Sequence, residues 1–245
     1  MERTPSGTPI ISDKSFEPRH NHTFTCCDKE AARKVEIHFH RLAPYNPEKG
    51  LLWSLILRLI KNPSRVVDLA LDQIMNLSDL VFFGGALSGR VRWEWSDPSQ
   101  ERFETELIGM TALRPAAQGG YETLIVLSSP ILTHPDYDRR LLLSAFLHEL
   151  VHCYLFIQCG FKARLNDGHT DGFHRIVSII DRWAGSGFLR LCDMKANLDH
   201  FLSNRERCMQ VKCEGLRYHH HDGCNQSPGP QKMYLEHVGV NLSWA

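Results

Sequence analysis

The chain has 245 residues, with 28 Lys and Arg, 28 Asp and Glu, and 14 His. Hydrophobic residues at 42% and charged residues at 23% are ordinary for a folded protein and exclude a wholly disordered chain. The balanced charge gives no global basic field, so any contact with nucleic acid would need a local patch. The eight cysteines are irregularly spaced, and Met1-Glu2-Arg3-Thr4-Pro5 has no apolar core of a secretory kind. Both features predict a reducing compartment, with thiols acting as small hydrophobes or zinc ligands. Leu51–Ile60 is too short to span a bilayer, and Arg58 interrupts it. Leu141–Cys159 is long enough but carries His148, Glu149 and His152, so no membrane partner is expected.

In chain order, residues 1–48 are rich in Pro, Ser, Thr, His and charge and read as a flexible arm, with only Lys34–Phe39 alternating like a strand. A helix is predicted over Pro47–Lys61, with Leu51, Leu52, Leu55, Ile56, Leu59 and Ile60 forming a wide apolar face. Asn62-Pro63-Ser64 breaks the chain and starts a second helix, which presents Val66, Val67, Leu69, Ala70, Ile74, Met75 and Leu77. The period then changes to two. Val91-Arg92-Trp93-Glu94-Trp95, Glu104–Leu113 and Tyr121–Ser128 read as three strands of a small antiparallel sheet, the last two joined through Arg114–Gly120. One long helix follows over Asp136–Cys159, another over Thr170–Trp183, and a short one over Asp193–Asn204. Helices, then a sheet, then helices make an α+β order, with residues 49–205 as one domain and 206–245 as a polar tail.

His148-Glu149-Leu150-Val151-His152 is an H-E-x-x-H motif. Residues four apart share a helix face, so both imidazoles can reach one metal ion, and Glu149 is placed to act as base. The motif lies in the most apolar helix of the chain, where buried His and Glu need partners that a metal site supplies. The common continuation of the motif is absent, because Leu155 and Gln158 occupy its Gly and His places. A third ligand must come from beyond the loop, and Gly168-His169-Thr170-Asp171-Gly172-Phe173-His174 offers two histidines. His169 follows a glycine at the helix entry and is the choice. His174 reads as a surface or outer residue, Asp171 as a helix-start acid and Asp181 as a solvated acid.

With these residues in view, the chain resembles the SprT-like metalloproteases. They carry H-E-x-x-H in a Leu-rich helix, then a loop, then G-H-G-x-x-F. His148, Glu149 and His152 match the first element, and Gly168, His169 and Phe173 the second, with Thr170 where the family usually has glycine. The resemblance extends through Phe82-Phe83, Trp93–Trp95, Leu124–Ser128, Leu198 and His200, about residues 50–205. It implies a zincin-like α+β domain, a small antiparallel sheet on an active-site helix. It also implies Zn2+ on His148, His152 and His169, with Glu149 as general base. The implied activity is endopeptidolysis of protein substrates bound or crosslinked to DNA, activated by single-stranded or damaged DNA, in the nucleus. Family members often continue into a small zinc module; here Cys208, Cys213, Cys224 and one histidine such as His221 are candidate ligands, without C-x2-C spacing. Trp93 and Trp95 read as core or as a stacking surface for bases, with Arg92 beside them. Arg90, Arg92, Arg139, Arg140, Lys162 and Arg164 could form a basic rim. The alternatives are a zinc peptidase with no nucleic-acid link, in the cytoplasm, and a non-catalytic DNA- or chromatin-binding adaptor. An intact Glu149 argues against the adaptor. Oligomeric state has no sequence signal.

Overall fold

The structure is a computed structural model that describes residues 10–11, 26–61, 68–97, 99–105, 107–185, 188–192, 198–203 and 241–242. At its centre, after the short helix α5 (Ser129–Leu132), is the long apolar helix α6 (Arg139–Cys159). Asp138 caps it by accepting from the Arg140 N–H, three residues later than the predicted start, because an extended Asp side chain can satisfy an orphan donor there. Every residue of α6 from Leu141 to Phe156 is buried. By length and composition α6 could cross a membrane, but nearly all of its apolar stretch is covered by the rest of the protein.

One covering layer is a sheet of three principal strands, β2 (Val91–Trp95), β3 (Gly109–Pro115) and β4 (Tyr121–Leu127), with β4 in the middle. β3 and β4 form the expected hairpin, in register from Gly109↔Leu127 to Pro115↔Tyr121. The sheet is mixed, which corrects the antiparallel expectation: β2 runs parallel to β4, with Val91 opposite Thr123 and Trp95 opposite Leu127. The cause is the connection. β2 leaves through a crossover containing the short helix α4 (Arg102–Thr105), so β3 cannot fold back on it as a hairpin would. Two-residue strands β1 (Ile10–Ile11) and β5 (Asn241–Leu242) pair with each other, and β5 meets β3 at Leu113. Strand alternation gives the sheet two apolar faces. Ile125 and Leu127 join the main core under α6, while Met110, Ala112, Leu124 and Val126 pack with Phe103 and Leu107 on the other side.

The helical layer holds α1 (Asp28–Arg41), α2 (Pro47–Lys61), α3 (Asp68–Ser78) and α7 (Asp171–Ala184). α2 matches its prediction; of the second predicted helix, residues 62–67 lie outside the described part. Within the predicted arm of residues 1–48, the packed helix α1 corrects that reading for 28–41. Its buried face is only Ala31, Ala32 and Val35, small side chains that let the helix lie close to α6 and α7. The Tyr154 hydroxyl donates to the Ala31 carbonyl at 3.0 Å. A chain of rings, Phe39–Phe82–Trp183–Trp53–Phe188, with centroids 4.8–5.7 Å apart, ties α1, α2, α7 and the π-helical turn Asp79–Phe83 together. Of the predicted helix over Asp193–Asn204, Leu198–Phe201 is a single 3-10 turn, and residues 193–197 are outside the described part. Phe146 shows how much the site depends on this core. It is fully buried on α6 with its ring 6.0 Å from Trp93, and Phe146→Ala is expected to lower stability by about 3–5 kcal/mol in urea unfolding.

Candidate metal centre

One helical turn separates His148 from His152, so both rings leave α6 on the same side. Beyond α6 the chain runs through a 3-10 segment, Gly160–Gly168, in which Asn166 and Asp167 adopt left-handed backbone (both φ 54°), a conformation these residue types tolerate. That turn brings His169 back onto the same point. The His148 Nε2 lies 3.2 Å from the His152 Nε2 and 3.4 Å from the His169 Nε2. Among the described residues this is the cluster that could hold a metal ion. Gly168 is required for it on two counts: its φ is +81°, and a Cβ there would lie 2.9 Å from the His152 ring.

The rings are fixed from outside. The His148 Nδ1 lies 2.8 Å from the Leu191 carbonyl. A carbonyl can only accept, so Nδ1 carries the proton and Nε2 keeps its lone pair for a metal. Leu191 is itself pinned, its N–H donating to the Asp181 carboxylate at 3.1 and 3.3 Å, and the neighbouring Arg190 N–H donates to the Ser144 hydroxyl at 3.2 Å. Asp181 therefore holds the segment that orients His148, which corrects the reading of it as a solvated acid. Phe173, at the start of α7, stacks on His152 at 4.4 Å and packs against His148 and His169, both at 4.8 Å. It forms an apolar wall shared by all three imidazoles.

Glu149 points towards the sheet and is fully buried. The Thr111 hydroxyl donates to its Oε2 at 2.6 Å. Gly109 leaves the room this needs, since a Cβ there would lie 2.9 Å from Oε1. Burial raises the carboxyl to about 7, against the pull of His148 and the Thr111 hydrogen bond. Sequence reasoning misses Thr111 and Gly109. Their only signal is a hydroxyl and a missing side chain on the inward face of an otherwise apolar strand.

A model of the SprT-like family matches residues 71–195, just over half of the chain. The chain belongs to the SprT-like family. Neither a curated protein nor a solved structure gives a significant match. Family and cluster together point to a metal-dependent protease. Thr170, the residue that departs from the family's usual glycine, has a definite role here. Its side chain caps α7 by accepting from the Phe173 N–H at 3.3 Å.

The other sequence candidates fall into place around this centre. His174 is exposed, and Asp171 is exposed and pairs with Lys29 at 3.2 Å. Cys153 is buried, and burial pushes its thiol up to about 12; the same holds for Cys159, so both stay protonated as small core residues. Trp93 and Trp95 are half-buried against the core, and their indole N–H groups donate to Asp72 at 2.7 Å and Asp68 at 3.1 Å. Arg92, just before Trp93, is exposed. Arg90 reaches the Gly119 and Tyr121 carbonyls and clamps the β3–β4 turn. Arg139 donates to the Leu132 carbonyl, Arg140 binds Asp138 and the His200 carbonyl, and the Arg164 guanidinium lies 5.7 Å over Phe161. Cys208, Cys213, His221 and Cys224 lie outside the described residues.

Proposed function

We propose that this protein is a zinc-dependent endopeptidase of zincin-like type that cuts proteins bound or crosslinked to DNA. The observation that carries the zinc reading is the convergence of three Nε2 atoms beside a buried glutamate. Zinc–nitrogen bonds of ~2.0–2.1 Å in a tetrahedral site put ligand nitrogens ~3.3 Å apart, which is the spacing of His148 from its two partners. Three imidazole nitrogens are a donor set that fits zinc, and three protein ligands leave a fourth position open. Bound there, zinc would supply an acidified water and a Lewis acid for a peptide carbonyl. The chain's own contribution is Glu149. Its carboxylate, held by Thr111 in a water-poor pocket, accepts the proton that the nucleophile gives up and returns it to the departing amine.

The DNA part rests on the family resemblance, with the half-buried indoles of Trp93 and Trp95, which share one face of β2, as the contact surface; strand alternation puts exposed Arg92 on the other face. A second reading, a zinc peptidase with no nucleic-acid link, is favoured by a specific feature of that surface: the Asp68 and Asp72 carboxylates lie against the two indoles and oppose phosphate. One experiment separates the two. The zinc-loaded protein is incubated with a DNA-binding protein, with and without single-stranded DNA and with and without a chelator. Cleavage that needs both DNA and zinc is expected. Cleavage without DNA leaves the peptidase and removes the DNA role, and no cleavage with zinc in place removes the protease reading.

A further inference from the structure

Residues 71–195 carry the family match, yet α1, at 28–41, touches the segment that follows His169 from outside them. We infer that Asp28, at the start of α1, is a positioning residue for the third histidine: it grips the segment that carries His169 and so sets the closure of the three-imidazole site. The inference rests on the metal reading above.

The contacts alternate along that segment. His169 and Phe173 face the centre, with Phe173 against all three imidazoles. Thr170 and Gly172, between them, are held by Asp28. Its Oδ2 accepts from the Gly172 N–H at 3.0 Å, and the Thr170 side chain is its second hydrogen-bond partner. The two backbones touch as well, because a Cβ on Gly172 would lie 2.4 Å from the Asp28 carbonyl oxygen. The carboxylate thus sits between the N-terminal ends of two helices, α1 and α7, where the unpaired N–H groups of both favour a negative charge. His148 and His152 have their backbones placed by one helix, and the Leu191 carbonyl orients the His148 ring. His169 lies outside any regular element, after two left-handed residues, and its position depends on what holds the following turn. Thr170 supplies the hydroxyl that links Asp28 to the α7 cap, which gives a physical use to the one position where the sequence departs from the family's glycine.

The test is zinc affinity by chelator competition, and the visible spectrum of the Co2+-substituted protein, for wild type, Asp28→Ala, Asp28→Asn and Tyr154→Phe. The spectrum reports the number and arrangement of ligands on folded molecules, which a general loss of stability does not change. Asp28→Ala is expected to weaken zinc binding by about 10-fold or more, the range seen when an outer support of a metal ligand is removed, and to alter the Co2+ bands. Asp28→Asn keeps an oxygen for the Gly172 N–H and is expected to recover most of the affinity. Tyr154→Phe loosens α1 elsewhere, by removing the bond to Ala31. It is expected to lower the melting temperature while leaving affinity within about twofold of wild type, because the lost bond is to Ala31 and not to the segment that carries His169. An Asp28→Ala protein with wild-type affinity and spectrum overturns the role of Asp28 alone. So does a loss of affinity that follows melting temperature equally in Asp28→Ala and Tyr154→Phe. A wild-type protein that takes up neither Zn2+ nor Co2+ overturns the metal reading, and this inference with it.

Discussion

Glu149→Gln is expected to lower proteolysis by about 10^2–10^4-fold while leaving zinc binding and the fold in place. The amide has nearly the shape of the carboxyl, so the Thr111 hydroxyl can still donate to an oxygen at the Oε2 position. What the amide cannot do is accept a proton. The pocket makes that loss severe, since Glu149 is fully buried between Gly109, Thr111 and the neighbouring imidazole, and bulk water cannot replace it as base. Stability should change little, because a neutral amide is cheaper to bury than a carboxylate, and that gain offsets one imperfectly paired N–H. The measurement is single-turnover cleavage with zinc content determined on the same sample. A variant with full zinc and wild-type cleavage removes Glu149 from the chemistry. A variant that loses zinc shows instead that the carboxylate supports the ligands.

The parts of this site that lie close together in sequence were legible, and the parts brought together by packing were not. The i,i+4 histidines, the buried helix around them, and the apolar face of α7 all follow from helix periodicity. β2 was legible as a strand from its alternation, but alternation does not say which strand it joins or in which direction. The parallel pairing with β4 depends on a crossover whose short helix, Arg102–Thr105, overlaps the start of the predicted strand Glu104–Leu113. Thr111 and Gly109 reach Glu149 only because the β3–β4 hairpin packs under α6. The carbonyl of Leu191 has no side-chain signature at all, as any residue would supply it.

α1 is the instructive miss. Its sequence, DKEAARKVEIHFHR, has few large apolar residues, so a hydrophobic pattern reads it as polar chain. Close packing needs small residues on the contact face, and Ala31, Ala32 and Val35 provide them. Its hold on the fold comes from partners distant in sequence: the Tyr154 hydroxyl, the Gly172 N–H and the Glu36–Arg175 ion pair. None of these shows in a window of the chain, because helical stability of this kind comes from tertiary contact and not from propensity.

His169→Ala is expected to lower zinc affinity by more than the ~10–100-fold typical of losing an outer support, and to bring proteolysis to background. Two histidines on one turn cannot close a tetrahedral site by themselves, and His169 is the group that α7 and its preceding loop bring within 3.4 Å of the His148 Nε2. The nearest substitute is His174, exposed on α7 with its ring 6.4 Å from that of His169. It sits within the regular helix, and reaching the centre would require turning α7 about its axis. That rotation would remove Phe173 from the three imidazoles and break the contact of Gly172 with Asp28, both parts of a packed core. His174→Ala is therefore expected to keep zinc affinity and cleavage near wild type and to change stability by about 0.5 kcal/mol or less, as surface substitutions commonly do. Chelator competition and cleavage on the two variants side by side decide the point. If His174→Ala loses zinc and His169→Ala keeps it, the third ligand is His174 and α7 turns on metal binding. If both keep it, the two α6 histidines hold the ion with a ligand from elsewhere, and the segment after Gly168 has no part in the metal centre.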